Sequence, residues 1–224
     1  MTKMTLIIRP QPDADRDVAL LARYGVPALA SPSMTCFLQL NELPGPARFS
    51  GIILTSRNAV DAITKSNKKY GLPYFMKNTD TNQWIKLPAF VVGTATATAA
   101  RDAGFSNIIV GKGGGLGLLT PISHYFNSKM GKEVGGTSGA PRLFWPSAFE
   151  ISFDMVAALA GQGVVVERLP VYQMIANDKM DPKITDKIAQ GAISAVVAMS
   201  PRSAQIFRDN LAASGKEFSL KRVS

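Results

Sequence analysis

Gly51-Ile-Ile-Leu-Thr-Ser56-Arg-Asn-Ala-Val60-Asp-Ala-Ile63 lies without a gap over Ala195-Val-Val-Ala-Met-Ser200-Pro-Arg-Ser-Ala204-Gln-Ile-Phe207. Each stretch is four or five apolar residues, then serine, then two polar or turn residues, then a helix start. A short continuous apolar run predicts a strand buried on both faces, hence a parallel sheet covered by helices. Strand, turn and helix in that order is the doubly wound α/β pattern. Two occurrences of one order predict two lobes rather than one barrel.

Working outward, Thr5-Leu-Ile-Ile-Arg-Pro10 reads as an apolar strand ended by proline, which lacks the N–H that a ladder needs. Asp13 to Tyr24 carries Val18, Leu20, Leu21 and Tyr24 at helical spacing, and Gly25 stands where a helix-ending glycine belongs. Val26-Pro-Ala-Leu29 is a second strand. The order recurs in Arg142-Leu-Phe-Trp-Pro146, a helix from about Phe153 to Leu159, closing glycines at Gly161 and Gly163, and a strand from Val164 that ends at Pro170. Phe90-Val-Val-Gly93 opens one further unit of strand, Gly-Thr turn and helix, stopped by Gly104 and followed by a strand to Val110. That unit has no counterpart after Ser200, so the second copy is expected to be shorter or to continue in a tail beyond residue 224. Gly131, Gly135, Gly136 and Thr137 to Pro141 read as a flexible loop.

The chain has 224 residues, 46% hydrophobic and 18% charged, enough apolar material for a core and unlike a disordered segment. Its apolar runs are too short and too interrupted for a membrane-spanning helix. Met1 to Pro10 reads as a strand rather than a signal peptide. One cysteine, Cys36, excludes an internal disulfide framework and suits a reducing compartment, so the cytoplasm is expected. The net charge of +9 fits nucleic acid, an anionic surface or an acidic small molecule. The basic residues are spread along the chain with no basic block, which argues against a nucleic-acid arm.

Few residues are equipped for chemistry. With one histidine, His124 in an expected helix, and one cysteine, a metal site is not expected. A Ser-His-Asp arrangement would need the same histidine, and no G-x-S-x-G elbow is present. Gly111-Lys-Gly-Gly-Gly-Leu-Gly117 fits neither G-x-G-x-x-G nor G-x-x-x-x-G-K-[ST] and reads as a flexible loop rather than a phosphate cradle. Three predicted strand ends remain: Thr55-Ser56-Arg57-Asn58, Gly93-Thr94-Ala95-Thr96 and Ser200-Pro201-Arg202-Ser203. Each sets hydroxyls and backbone N–H groups at the carboxyl end of a buried strand, where open α/β sheets bind ligands. A helix N-terminus there suits carboxylate or phosphate. The plainer reading of any one of them is a helix cap; three together point to an anion-lined cleft between the lobes.

At these residues the chain resembles the uroporphyrinogen-III synthase family. The resemblance rests on Ile7-Ile-Arg-Pro10, Ile53-Leu-Thr-Ser-Arg-Asn-Ala-Val60, Val92-Gly-Thr-Ala-Thr96 with its Ala-rich helix ending at Gly104, the glycine-stopped helix before Val164, Pro170-Val-Tyr172 and Ala195-Val-Val-Ala-Met-Ser-Pro201. It implies two doubly wound parallel-sheet lobes joined by a two-stranded linker. One lobe would be residues 1–34 with 173–224, the other 41–165, and the linker strands 35–40 and 166–172. It also implies the reaction: hydroxymethylbilane, a linear tetrapyrrole with eight carboxylates, loses its terminal hydroxyl, inverts its last pyrrole through a spiro intermediate and closes, without metal or organic cofactor. The catalyst would be a cytoplasmic monomer with a polycarboxylate substrate, binding neither nucleic acid nor membrane.

Tyr172 is the candidate for acid assistance, its phenol donating to the departing hydroxyl; packing at the hinge is the other reading of that ring. Ser56, Thr96 and Ser200 match positions that contact substrate through amides and hydroxyls, and Arg57, Asn58, Gly93, Thr94 and Ser203 join them as candidate substrate-binding residues. Asn58 stands where some family members carry a basic residue. Two rivals are a non-catalytic two-lobe binder of an acidic small molecule and a nucleotide-dependent enzyme using Gly111 to Gly117.

Overall fold

A computed structural model of the chain describes residues 2–39, 43–69, 81–130 and 139–215, with the backbone alone at 65–69, 81–82 and 129–130. The predicted loop at Gly131, Gly135, Gly136 and Thr137, and the Leu40 end of the predicted linker strand, lie outside the described residues. The chain divides into two compact units, one of Met1–Phe37 with Met174–Ser224, the other of Leu38–Gln173.

In the first unit, β1 (Met4–Ile7) lies between β2 (Ala28–Ala30) and β9 (Ile193–Val197), parallel to both. The helix predicted over 13–24 is α1 (Asp13–Arg23), with Gly25 after it donating its N–H to Ala22 O at 3.0 Å. Arg9 leaves the end of β1 to pair with Asp13 at 2.9 Å and Asp17 at 2.8 Å, fastening the start of α1 to the strand. Helices α7 (Pro182–Ala189) and α8 (Pro201–Ala213) cover one sheet face: Leu6 and Ile8 pack with Ile184, Phe207 and Leu211. Each begins with proline after a capping side chain, Asp181 or Ser200, the arrangement a helix start favours because proline's missing donor is needed by no partner there.

The second unit is built on a sheet of order β3-β8-β7-β4-β5-β6. Its strands are β3 (Met34–Leu38), β4 (Gly51–Leu54), β5 (Ala89–Val92), β6 (Ile108–Gly111), β7 (Arg142–Ala148) and β8 (Val165–Ala176), and β4 to β8 pair in parallel. All of β3 but Leu38, and β8 from Met174 on, belong to the first unit. Alternation sorts their side chains. Ile53, Phe90, Leu143, Trp145 and Val166 share a face packed by Ile122 and Phe126 of α5 (Leu119–Met130) and by Met155 and Leu159 of α6 (Met155–Ala160). On the other face Phe144 stacks with Trp84 and Phe49, ring centres 5.0 and 5.4 Å away. Helices α2 (Arg57–Lys69) and α4 (Gly93–Asp102) pack beside each other against these strands; one further turn, α3, covers Thr81–Trp84.

Three expectations need correction. First, Pro146 and Pro170 do not end their strands; β7 runs on to Ala148 and β8 to Ala176. β4 pairs with β7 at Leu143 and Phe144, so at Pro146 β7 is hydrogen-bonded to β8 alone and a nitrogen without a proton is tolerated on the other side. The register slips just past Ser147↔Pro170, where Ala148 pairs with Tyr172 and Val171 is skipped, a bulge that absorbs the second proline. Second, the apolar run at Ala195–Met199 is not buried like its echo. All of β4 is buried, whereas β9 is an edge strand with Ser194 and Ala195 exposed, and Met199 beyond it is 67% exposed. β4 has strands on both sides and β9 only β1 among the described residues.

Third, the helix expected from Phe153 starts at Met155. Asp154 caps it, its carboxylate accepting from Val156 N at 2.9 Å and Ala157 N at 3.1 Å. Apolar spacing alone missed this side chain, although aspartate before an apolar run is a recognised start signal. Asp154→Ala is expected to lower stability by about 1 kcal/mol, seen as a lower urea midpoint with an unchanged slope.

Candidate active site

A pocket of about 200 Å³ opens in the second unit, where Thr55 follows β4, Val92 ends β5, Trp145 lies midway along β7 and Ala148 ends it. Gly114, Gly115 and Tyr172 complete the side that concerns the chemistry. Thr55 and Val92 point the same way as Ile53 and Phe90, so the pocket continues the packed face of the sheet beyond its carboxyl edge, the usual ligand position in an open α/β sheet. Trp145 Nε1 donates to Thr55 Oγ1 at 3.4 Å. Tyr172 is buried, 6% exposed, and its carbonyl accepts from Phe149 N at 2.8 Å, tying β8 to the segment that leaves β7.

Two predicted strand ends border this pocket. Ser56 follows Thr55; its hydroxyl accepts from Asn58 N at 3.1 Å, and Ser56, Arg57 and Asn58 are all half-buried at the start of α2. Gly93 follows Val92 and begins α4 with φ at 74°, a left-handed turn open to glycine at little cost. No side chain caps α4, so its first amides are not spent on a capping hydroxyl. Thr94 is exposed there, while Thr96 turns inward and is 5% exposed. The third strand end lies in the first unit. Ser200 caps α8, accepting from Ser203 N at 3.1 Å and sharing a hydrogen bond of 2.9 Å with Ser203 Oγ. The Ser203 side chain is buried beside Met34 Sδ at 3.9 Å and serves the interior of its unit.

The glycine run is not a loose loop. Gly111 ends β6, residues 116–118 form a 3-10 turn, and α5 follows directly. A Cβ at Gly117 would lie 1.5 Å from Lys112 O, one at Gly111 2.6 Å from Gly117 O, and one at Gly115 2.8 Å from the Phe153 ring. The run is a close-packed turn whose middle lines the pocket. His124 is exposed on α5, and Cys36 sits on the part of β3 that belongs to the first unit.

The family model described as uroporphyrinogen-III synthase HemD matches residues 15–223. The chain belongs to the uroporphyrinogen-III synthase family. Enzymes of this family are cyclising lyases that need no cofactor, and they act on a polypyrrole. Among solved structures, uroporphyrinogen-III synthetase from Helicobacter pylori 26695 is similar with a TM-score of 0.57 at 16% identity, over 93% of this chain and 78% of that one. A mutant uroporphyrinogen III synthase from the extremely thermophilic bacterium Thermus thermophilus is similar with a TM-score of 0.50 at 16% identity, over 93% and 77%. At that identity the likeness speaks for the fold, a mixed α/β chain with mainly parallel sheets. The readings as a non-catalytic binder and as a nucleotide-dependent enzyme find no support among these matches. No helix among the described residues is long and apolar enough to cross a membrane.

Sequence reasoning reached Tyr172 and two of the strand ends at this pocket but missed Trp145 and Arg168. Arg168 stands with Glu167 in the middle of an apolar strand, Val164-Val-Val before and Leu169-Pro-Val171 after, a signal that was available. Its guanidinium lies 5.8 Å from the Trp145 ring centre.

Proposed function

We propose that this pocket receives the hydroxymethyl-bearing terminal pyrrole of hydroxymethylbilane and that the chain closes the bilane with inversion of the last pyrrole, at its other end. Tyr172 carries the reading: a buried tyrosine at a pocket between the ends of β4, β5 and β7 can hold a proton donor where water is scarce. At about 200 Å³ the pocket is smaller than the roughly 300–1,000 Å³ that enclose a whole drug-sized ligand. It suits one ring with its acidic arms, not four.

In this mechanism the Tyr172 hydroxyl donates a hydrogen bond to the terminal hydroxyl. As the C–O bond breaks, the departing hydroxyl takes the Tyr172 proton and leaves as water, and the pyrrole nitrogen's electrons form an azafulvenium cation; the phenolate recovers a proton when the cyclised ring loses one. The substituted carbon of the last pyrrole attacks it, the spiro centre rearranges, and loss of the ring proton restores aromaticity. The pyrroles supply the driving force, so the protein's share is mainly positioning, with fixed dipoles favouring the developing charge. The uncapped amides of α4 at Gly93 and Thr94 take a carboxylate, as does the α2 start at Ser56, Arg57 and Asn58, while Thr96 packs the inner side of that helix start; in the first unit the α8 start at Ser200 is a carboxylate site of its own. Ser203 serves by holding the Ser200 hydroxyl. The division at residues 34/41 and 165/173, a monomeric state and a cytoplasmic setting complete the proposal.

The test supplies hydroxymethylbilane to the folded full-length chain and identifies the ring isomer. Uncatalysed closure yields the type I isomer; type III is expected here. Type I alone would remove the assignment.

A further inference from the structure

We propose that Arg168 is the positioning residue of this pocket: its guanidinium holds the segment leaving β7 and the Trp145 indole in the arrangement that receives substrate. The proposal rests on the pocket assignment above. Arg168 pairs with Trp145 across β7 and β8, so the two side chains leave the sheet on the same face. The guanidinium then serves three acceptors in sequence. Nε donates to Ser147 Oγ at 2.9 Å, and one terminal nitrogen donates to Ala148 O at 2.9 Å and Phe149 O at 2.7 Å. Ser147 is fully buried, and its hydroxyl donates in turn to Ala148 O at 2.8 Å.

The clamped segment is a wall of the pocket. Trp145, Ala148 and Glu150 line it, and Phe149 N binds the Tyr172 carbonyl. One side chain therefore fixes an indole, three consecutive residues and, through Phe149, the main chain that carries Tyr172. The neighbour Glu167 does not compete for this charge; it pairs with Arg48 and, at 3.7 Å, with Arg142. Lysine could not replace the fork, because an ammonium is a point donor without fixed in-plane geometry. A wall displaced by about 1 Å lowers rate by about 10²-fold.

The test uses the full chain in a Trp84→Phe background, leaving Trp145 as the sole tryptophan. Arg168→Met keeps the packing stem and removes every donor. It is expected to lower kcat/KM for hydroxymethylbilane about 10²-fold, with the larger share in kcat, and to red-shift Trp145 emission in the substrate-free protein. Arg168→Lys is expected to restore less than a tenth of the lost kcat/KM. Retention of both emission and kcat/KM within twofold in Arg168→Met would overturn the proposal, and so would full recovery in Arg168→Lys, which would reduce the role to charge. Should Arg168→Met fail to fold, Ser147→Ala removes one acceptor of Arg168 together with the hydroxyl's bond to Ala148 O; a loss of about tenfold with shifted emission supports the proposal and an unchanged protein refutes it. If the parent chain closes no bilane, the functional assignment has failed, and emission alone still decides whether Arg168 sets the wall.

Discussion

Tyr172→Phe is expected to lower kcat about 10²- to 10⁴-fold, the range one positioned proton donor contributes, while KM changes little. The ring stays, so the buried surface of a residue 6% exposed is preserved. The main-chain bond from Phe149 N to Tyr172 O does not involve the side chain and stays too. Loss of one hydroxyl costs about 1 kcal/mol of stability, a shift of a few degrees in Tm. Rapid-quench turnover with hydroxymethylbilane, paired with a thermal melt, separates the two effects. Unchanged kcat would leave Tyr172 as a packing aromatic and transfer the loss of hydroxyl to the substrate's own electron push. A collapse of Tm with proportional loss of rate would mean that the phenol is structural.

The second large effect concerns the fold around the pocket. Gly117→Ala would bring a methyl carbon to 1.5 Å from Lys112 O and 2.5 Å from Lys112 C. Both are backbone atoms, so no side-chain rotation relieves the overlap; the turn between β6 and α5 must open. Overpacking a well-filled site costs about 1–3 kcal/mol and occasionally more, and Gly117→Ala belongs at or above about 3 kcal/mol for that reason. Gly113→Ala is the matched control. It has φ at 79° but nothing within 4 Å of a Cβ, so it bears only the left-handed penalty of about 1–2 kcal/mol. Urea unfolding of the two variants should rank them in that order. Equal midpoints would show that the turn yields freely, and with it the packed reading of the glycine run.

That run illustrates where the sequence was legible and where it was not. Glycine's spacing showed that no nucleotide motif is present, but a run of glycine reads alike whether the chain is loose or crowded. Crowding is a property of what lies opposite: Lys112 against Gly117, and Phe153 against Gly115. The start of α4 behaves differently. Phe90-Val-Val-Gly93 followed by Thr and Ala at helical spacing predicts strand, turn and helix from neighbours alone, and β5 and α4 follow that order with α4 starting at Gly93. The prolines mark a middle case. Pro146 and Pro170 read locally as stops, yet the strands continue because β7 has one partner at that level and β8 bulges.

The amino-acid sequence by itself determined the α/β class, the parallel order of strand and helix, the helix stop at Gly25 and the residues at the strand ends. These follow from apolar periodicity and from backbone preferences that act within a few residues. Tertiary structure alone decided that β4 is buried and β9 stands at an edge, that Thr55, Val92, Trp145 and Tyr172 surround one pocket, and that Arg168 grips the segment after β7. Those facts depend on which strand lies beside which, a choice made by side chains far apart in the chain meeting in the core.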